Sequence, residues 1–217
     1  MDKRLAGAIL AVAAVLGLTA CSSGTAASSF VPAAPASTTV SATPSSTPTA
    51  VAGLRSFSFP SDIQVEFQTS LPASEPQRSA MIAYENYVDS MWYAVYTLGS
   101  NKVYTTYISG NALTFAKQIL GEFKAGHYAL RGTVVYSDIS VPNVYSGSGA
   151  VVESCVNISG LHMVDPSTGQ SAGNILNSKY TNSQEQAAAG KKKSGTWWIV
   201  HTDFYSAASG GTAGMCA

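Results

Sequence analysis

The strongest constraint on this chain is a change of hydrophobic period part-way along it. Met81, Tyr84, Val88, Met91, Trp92, Val95 and Leu98 recur at intervals of three and four residues. That spacing puts apolar side chains on one face of an α-helix. Ser74 and Gln77 form a capping-box pattern ahead of it, Pro76 stands in a tolerated first-turn position, and Gly99 closes it. A second helix is predicted from near Asn111, with Leu113, Ala116, Leu120 and Phe123 on one face and Gly126 as its C-cap. Beyond that point the period falls to two. Residues 131–141 and 150–158 read as strands, and 161–164 as a short strand before a turn at Pro166-Ser167-Thr168-Gly169. Residues 177–189 are polar for a strand, whereas 196–205 alternate clearly. Along that last strand Trp198, Val200 and Thr202 are expected on one face, and Trp197, Ile199, His201 and Asp203 on the other. Helices followed by antiparallel strands define an α+β arrangement. Each helix carries a single apolar stripe, so both are expected on one face of a sheet of about four strands.

The N-terminus carries a different signal. Asp2, Lys3 and Arg4 precede an uncharged apolar run from Leu5 to Leu18, and Leu18-Thr19-Ala20-Cys21 follows. A basic start, a short apolar core and small residues before a cut describe an export signal. The core is shorter than the roughly 20 apolar residues that a membrane span needs. The four residues ending at Cys21 resemble the bacterial lipobox, Leu-x-Ala-Cys. The resemblance implies cleavage after residue 20 and acyl chains on Cys21, which would hold the chain to the outer face of the cell membrane; the alternative is an ordinary signal peptide with a chance cysteine. Residues 22–56 are mostly Ala, Ser, Thr, Pro and Val, interrupted by Pro32, Pro35, Pro44 and Pro48. Such a stretch buries too little apolar surface to offset its ordering entropy. The organisation expected is a signal at 1–20, a tether at 21–60 and one domain at 70–217.

Charged residues make up 11% of the chain, with 12 basic and 12 acidic side chains. Loss of Asp2, Lys3 and Arg4 with the signal leaves ten basic against eleven acidic, a formal charge of −1. No basic field suited to nucleic acid is present. Lys191-Lys192-Lys193 lies between glycines and reads as a solvated hairpin tip, with contact to an anionic lipid or wall polymer as the sharper alternative. Of the three cysteines, Cys21 is taken by lipid on this reading. That leaves Cys155 and Cys216 to form a disulfide in an oxidising compartment. Closing a loop of about 60 residues is worth roughly 4 kcal/mol in the chain-entropy treatment.

The order of elements, with Ala83-Tyr84-Glu85-Asn86-Tyr87, Asn111-Ala112-Leu113, Arg131-Gly132, Val151-Val152-Glu153-Ser154-Cys155-Val156, Gly195-Thr196-Trp197-Trp198-Ile199-Val200 and the terminal Cys216, resembles secreted actinobacterial lipoproteins with a nuclear transport factor 2-like, cystatin-like cone domain. The resemblance implies helices packed on a curved antiparallel sheet and an envelope location. It implies no particular activity, because such cones host enzymes, binders and interaction modules.

No catalytic constellation stands out. His127, His162 and His201 share no ligand spacing, and Cys-x-x-Cys, His-Glu-x-x-His and Gly-x-Ser-x-Gly are absent. Neither a cofactor nor a metal is expected. Gly147-Ser148-Gly149 reads as a hairpin turn, and His162 and Asp165 as turn polars. His201 and Asp203, two apart on a strand, are the candidate acid–base pair if they point into the cup, the alternative being an exposed face or a hydrogen-bonded pair at its rim; Asp138 is a further residue that could face the same cup. Tyr84, Tyr87, Trp92, Tyr93 and Tyr96 crowd the first helix as core or as a pocket lining. Three functions follow: a non-enzymatic module that binds an envelope protein or a small apolar ligand; an isomerase, cyclase or hydrolase that uses His201 and Asp203; and a structural spacer.

Overall fold

The structure is a computed structural model that describes residues 51–146, 148–173, 182–206 and 216. Cys21, the segment read as an export signal, the stretch read as a tether up to residue 50 and the tail 207–215 lie outside the described residues, as do 174–181.

The helix expected from the Met81–Leu98 spacing is α1, Gln77–Tyr96. Tyr84, Tyr87 and Val88 are fully buried along its inner stripe, with Met81, Met91 and Val95 beside them. Its start differs from a capping box. Pro76 is the N-cap, and the Ser74 hydroxyl bonds the Gln77 side chain rather than a backbone N–H. Its end lies two residues short of Leu98, which adopts a left-handed backbone ahead of Gly99. The second helix, α2, spans Gly110–Gly126. His127 rather than Gly126 takes the left-handed position, with His127 N–H bonding Lys124 O and Tyr128 N–H bonding Phe123 O.

The strands are β1 Ile63–Gln68, β2 Ala129–Tyr145, β3 Gly149–Val164, β4 Ser171–Gly173, β5 Asn182–Lys191 and β6 Trp197–Ser206. They form one six-stranded sheet in the order β1-β2-β3-β5-β6, with β4 paired to β3. The fold is α+β, as expected, but the sheet differs in three respects. Among the described residues it has six strands rather than about four. It is mixed, because β1 pairs parallel with β2 from Ile63↔Gly132 to Gln68↔Ser137. The chain between them passes through both helices, the long crossover that parallel neighbours require. Finally, the predicted segments 150–158 and 161–164 are one continuous strand, β3. The pairing of β2 with β3 slips between Thr133 and Val135, between Ser137 and Ser140, and between Ser140 and Asn143. Bulges of this kind bend the strands that carry them.

The domain also begins earlier than residue 70, inside the segment read as tether. The Asn86 side chain on α1 accepts the Arg55 N–H at 2.8 Å and donates to Gly53 O at 2.9 Å. Phe57 and Phe59 set their rings 5.7 and 5.6 Å from that of Tyr93. Two aromatic side chains at alternate positions supply the apolar area that the preceding Ala/Ser/Thr/Pro stretch lacks.

β5 and β6 meet at the lysine-rich tip, where Lys192 N–H bonds Thr196 O and the Lys192 ammonium lies 4.1 Å from the Trp198 ring centre. In β6 the ladder runs Ala189↔Ile199 and then Ala188↔His201, so Val200 is an extra, bulged residue. The bulge also seats α2. Ile199 exchanges backbone hydrogen bonds with Tyr107 O and Ser109 N–H, at 2.8 and 2.9 Å. The Val200 carbonyl comes so close to Gly110 that a Cβ there would lie 2.7 Å from it, and Gly110 has φ +58. Only glycine meets both demands without strain.

Candidate functional site

The inner face of β5 presents Ser183, Glu185, Ala187 and Ala189, all buried. Three small side chains leave room for the tyrosines of α1 to reach the sheet. Glu185 is 1% exposed. Its Oε2 accepts the Tyr84 hydroxyl at 2.6 Å, and its Oε1 accepts the Tyr87 hydroxyl at 3.4 Å. With the Tyr84 proton committed to Glu185, the Ser154 hydroxyl, 2.6 Å from the Tyr84 oxygen, donates to it. Ser154 and Glu185 are register partners on β3 and β5, which fixes this geometry. Burial pushes the Glu185 carboxyl up to about 7, against the two phenol hydrogen bonds that favour its ionised form. Burial and the Glu185 charge hold Tyr84 and Tyr87 well above the ordinary phenol range. A second link joins α1 to the sheet: the Trp92 indole N–H donates to the Tyr136 hydroxyl at 2.9 Å.

Beside this polar row a cavity of about 560 Å³ opens between α2 and the sheet. Met91 and Trp92 of α1, Tyr136 of β2, Val156 and Ile158 of β3, and Phe115, Ile119 and Phe123 of α2 give it largely apolar walls. Ser183, Thr202 and Phe204 form its floor, and Asn111, Thr114, Gln118 and Glu122 run along α2 at its rim. The rings of Phe115 and Phe204 lie 5.3 Å apart, joining helix to sheet at one side. The Thr202 hydroxyl is buried without a hydrogen-bond partner among the described residues. Its approach to the Tyr87 hydroxyl, longer or more bent than a normal hydrogen bond, still favours the ionised phenol.

The face assignment expected for 196–205 holds through Ile199 and then inverts. Because Val200 is bulged, Thr202 and Phe204 turn inward, and His201 and Asp203 turn away from the core. His201 Nε2 and Asp203 Oδ2 lie 2.7 Å apart, with side chains 45% and 49% exposed. Asp203 reaches the cavity rim, whereas His201 does not line the cavity. The pair therefore does not converge on the buried cluster. Asp138 is also exposed, on a left-handed residue within the bulged part of β2. Asp165 accepts Ser167 N–H at 2.7 Å and Thr168 N–H at 3.2 Å, the turn role expected of it, and the exposed His162 stands at the end of β3. Of the α1 aromatics, Tyr84, Tyr87 and Trp92 are core, Tyr93 is half-buried and Tyr96 is exposed.

Cys155 and Cys216 form the expected disulfide, which spans 61 residues of sequence. Glu85 and Asp89 stand one turn apart on α1, and burial pushes each up to about 7; for Asp89 the neighbouring Glu85 charge adds to the effect. Among the described residues no group of His, Cys, Asp and Glu could hold a metal ion, and no helix is long and apolar enough to cross a membrane.

Sequence reasoning missed Glu185 and Thr202. Glu185 sits in a segment whose polarity argued against a buried strand, and Thr202 was grouped with Trp198 and Val200 without a role. The signal available for Glu185 was alternation with small residues: Ser183, Ala187 and Ala189 at period two mark a face pressed closely by another element.

No protein-family model matches the chain, and no curated protein matches it. Among solved structures it is similar to the intermembrane space region of the chloroplast protein ARC6, at 17% identity over 57% of this chain and 94% of that one, with a TM-score of 0.37. It is also similar to a protein from Shewanella frigidimarina assigned as a ketosteroid isomerase, at 18% identity over 56% of this chain and 94% of that one, with a TM-score of 0.32. Likeness at this level does not extend to activity or ligand.

Proposed function

We propose that the chain is an exported, lipid-anchored binding module that holds a small, largely apolar molecule in the cavity between α2 and the sheet. The observation that carries this reading is the cavity itself: about 560 Å³, walled by aromatic and aliphatic side chains, with the unpartnered Thr202 hydroxyl in its floor. Ligand sites combine apolar walls with a few polar groups in this way. A buried hydroxyl without a partner costs about 1–3 kcal/mol, which a ligand atom would recover. The export signal and the Leu-Thr-Ala-Cys21 pattern support the anchor. Two acyl chains suffice for stable attachment.

Native mass spectrometry of the full chain, released from its own envelope, tests the ligand. The expected result is an excess mass that leaves on denaturation and is lost in Thr114→Trp, which fills the rim from an exposed position on α2. A clean apo mass for the wild type would refute the binding reading. The anchor is tested separately by palmitate labelling, which Cys21→Ala should abolish.

A further inference from the structure

We infer that the occupant of this cavity is an organic cation: a compact apolar body that carries an ammonium or a comparable positive group. The inference rests on the reading of the cavity as a ligand site and adds the charge of what enters it.

The carboxylates carry it. Among the described lining residues the acidic side chains are Glu122 and Asp203, and no Lys, Arg or His lines the wall. Glu122 accepts the Gln118 side-chain amide, a neutral donor, at 3.2 Å and has no ion pair among the described residues. Asp203 does have a partner, His201, but on the outward side of β6. A third carboxyl, Glu185, stands directly behind the floor, two residues from Ser183 and opposite Phe204 in the ladder. A carboxylate ligand would bring a further negative charge beside Glu122 and Asp203 at the rim, whereas Glu185, whose burial favours the protonated acid, adds little to that field. A cation meets the opposite field.

The rings point the same way. Trp92, Phe115, Phe123, Tyr136 and Phe204 line the wall. An aromatic face carries partial negative charge and attracts a cation within about 6 Å of its centre. The buried, unpartnered Thr202 hydroxyl supplies an uncharged oxygen deeper in the same cavity. Together they describe a site with an acidic rim, aromatic walls and, among the described residues, no cationic group to receive an anion.

Three probes that share one apolar body isolate the charge: 4-phenylbutyl-trimethylammonium, 4-phenylbutanol and 4-phenylbutanoate. Each is titrated against the full chain in zwitterionic nanodiscs, with empty nanodiscs as the blank, and followed by tryptophan fluorescence, because Trp92 lies in the wall. The ammonium is expected to bind about fivefold tighter than the alcohol, and the carboxylate about fivefold weaker, the scale of a partly exposed charge pair. Glu122→Gln, at an exposed position, should bring the ammonium and alcohol within about twofold of each other. Binding of the alcohol or the carboxylate as tight as that of the ammonium overturns the inference but leaves the cavity a ligand site. Ammonium binding that survives both Glu122→Gln and Thr114→Trp lies elsewhere on the protein and also overturns it. Failure of all three probes to bind overturns the ligand reading as well.

Discussion

Replacement of Glu185 by Gln gives the sharpest test of the buried row. Burial raises the Glu185 carboxyl from 4.5 to about 7, so the folded protein holds its proton more tightly than the unfolded chain does. Stability from this group is therefore fully present below about pH 4.5, is lost as the pH rises to about 7, and stays flat above that. A difference of that size corresponds to about 3 kcal/mol. Glutamine is close in shape to the protonated acid and never ionises. Its side-chain oxygen can still accept the Tyr84 hydroxyl, which bonds Glu185 at 2.6 Å. The expectation is that wild type and Glu185→Gln differ by less than about 1 kcal/mol near pH 5, and that the variant is the more stable by about 2–3 kcal/mol near pH 8.5. For a domain of this size that gap is a melting difference of roughly 5–10 °C. Glu85 and Asp89 titrate in the same window, but they are common to both proteins and cancel in the difference. Guanidinium unfolding at the two pH values, with the disulfide intact, measures it. A difference that stays constant with pH would show that Glu185 does not titrate between the folded and unfolded ordinary ranges, and the account of its burial would fail.

Other outcomes follow from single contacts. Trp92→Phe removes the indole donor to the Tyr136 hydroxyl and should cost about 1 kcal/mol, with a further loss for the smaller ring, read by urea unfolding. Paired Cys155→Ala and Cys216→Ala substitutions, which open the 61-residue link, should lower stability by about 2–5 kcal/mol; wild-type thiols that alkylate without reductant would contradict the bridge. Asp203→Asn breaks a half-exposed pair with His201 and should change stability by less than about 1 kcal/mol. Gly110→Ala meets the Val200 carbonyl at a positive φ and should destabilise by more than about 1 kcal/mol, seen as a lower melting temperature.

The parts of the fold legible in the sequence are those set by local pattern. Helix α1 followed from its apolar spacing, and the lysine tip followed from its glycines and charges. Strand β1 was overlooked although Ile63 is buried and Val65 and Phe67 are half-buried in strict alternation; it is six residues long and its parallel partner lies beyond both helices. Strand β5 looked too polar because Ser183, Gln184 and Glu185 are consecutive. The burial of Glu185 is matched by Tyr84, which is 101 residues away in sequence. No local pattern contains that distance. The grouping of His201 and Asp203 on one face with Trp197 and Ile199 failed for a similar reason. A bulge is a property of two paired strands, and alternation within one of them cannot register it.

That bulge makes the ten residues of β6 ambiguous in a way that bears on how such a domain could change its chemistry. With Val200 set aside, Thr202 and Phe204 floor the cavity. If the same residues were ironed into an unbroken strand, every side chain after Val200 would turn over, and His201 and Asp203 would replace them. One stretch of sequence thus encodes two floors, a hydroxyl with an aromatic ring or an imidazole with a carboxylate. The choice between them rests on a single kink rather than on any substitution within the floor. Loss of Val200 would remove the second option altogether and keep the first, because the remaining residues would then alternate with Thr202 and Phe204 already inward.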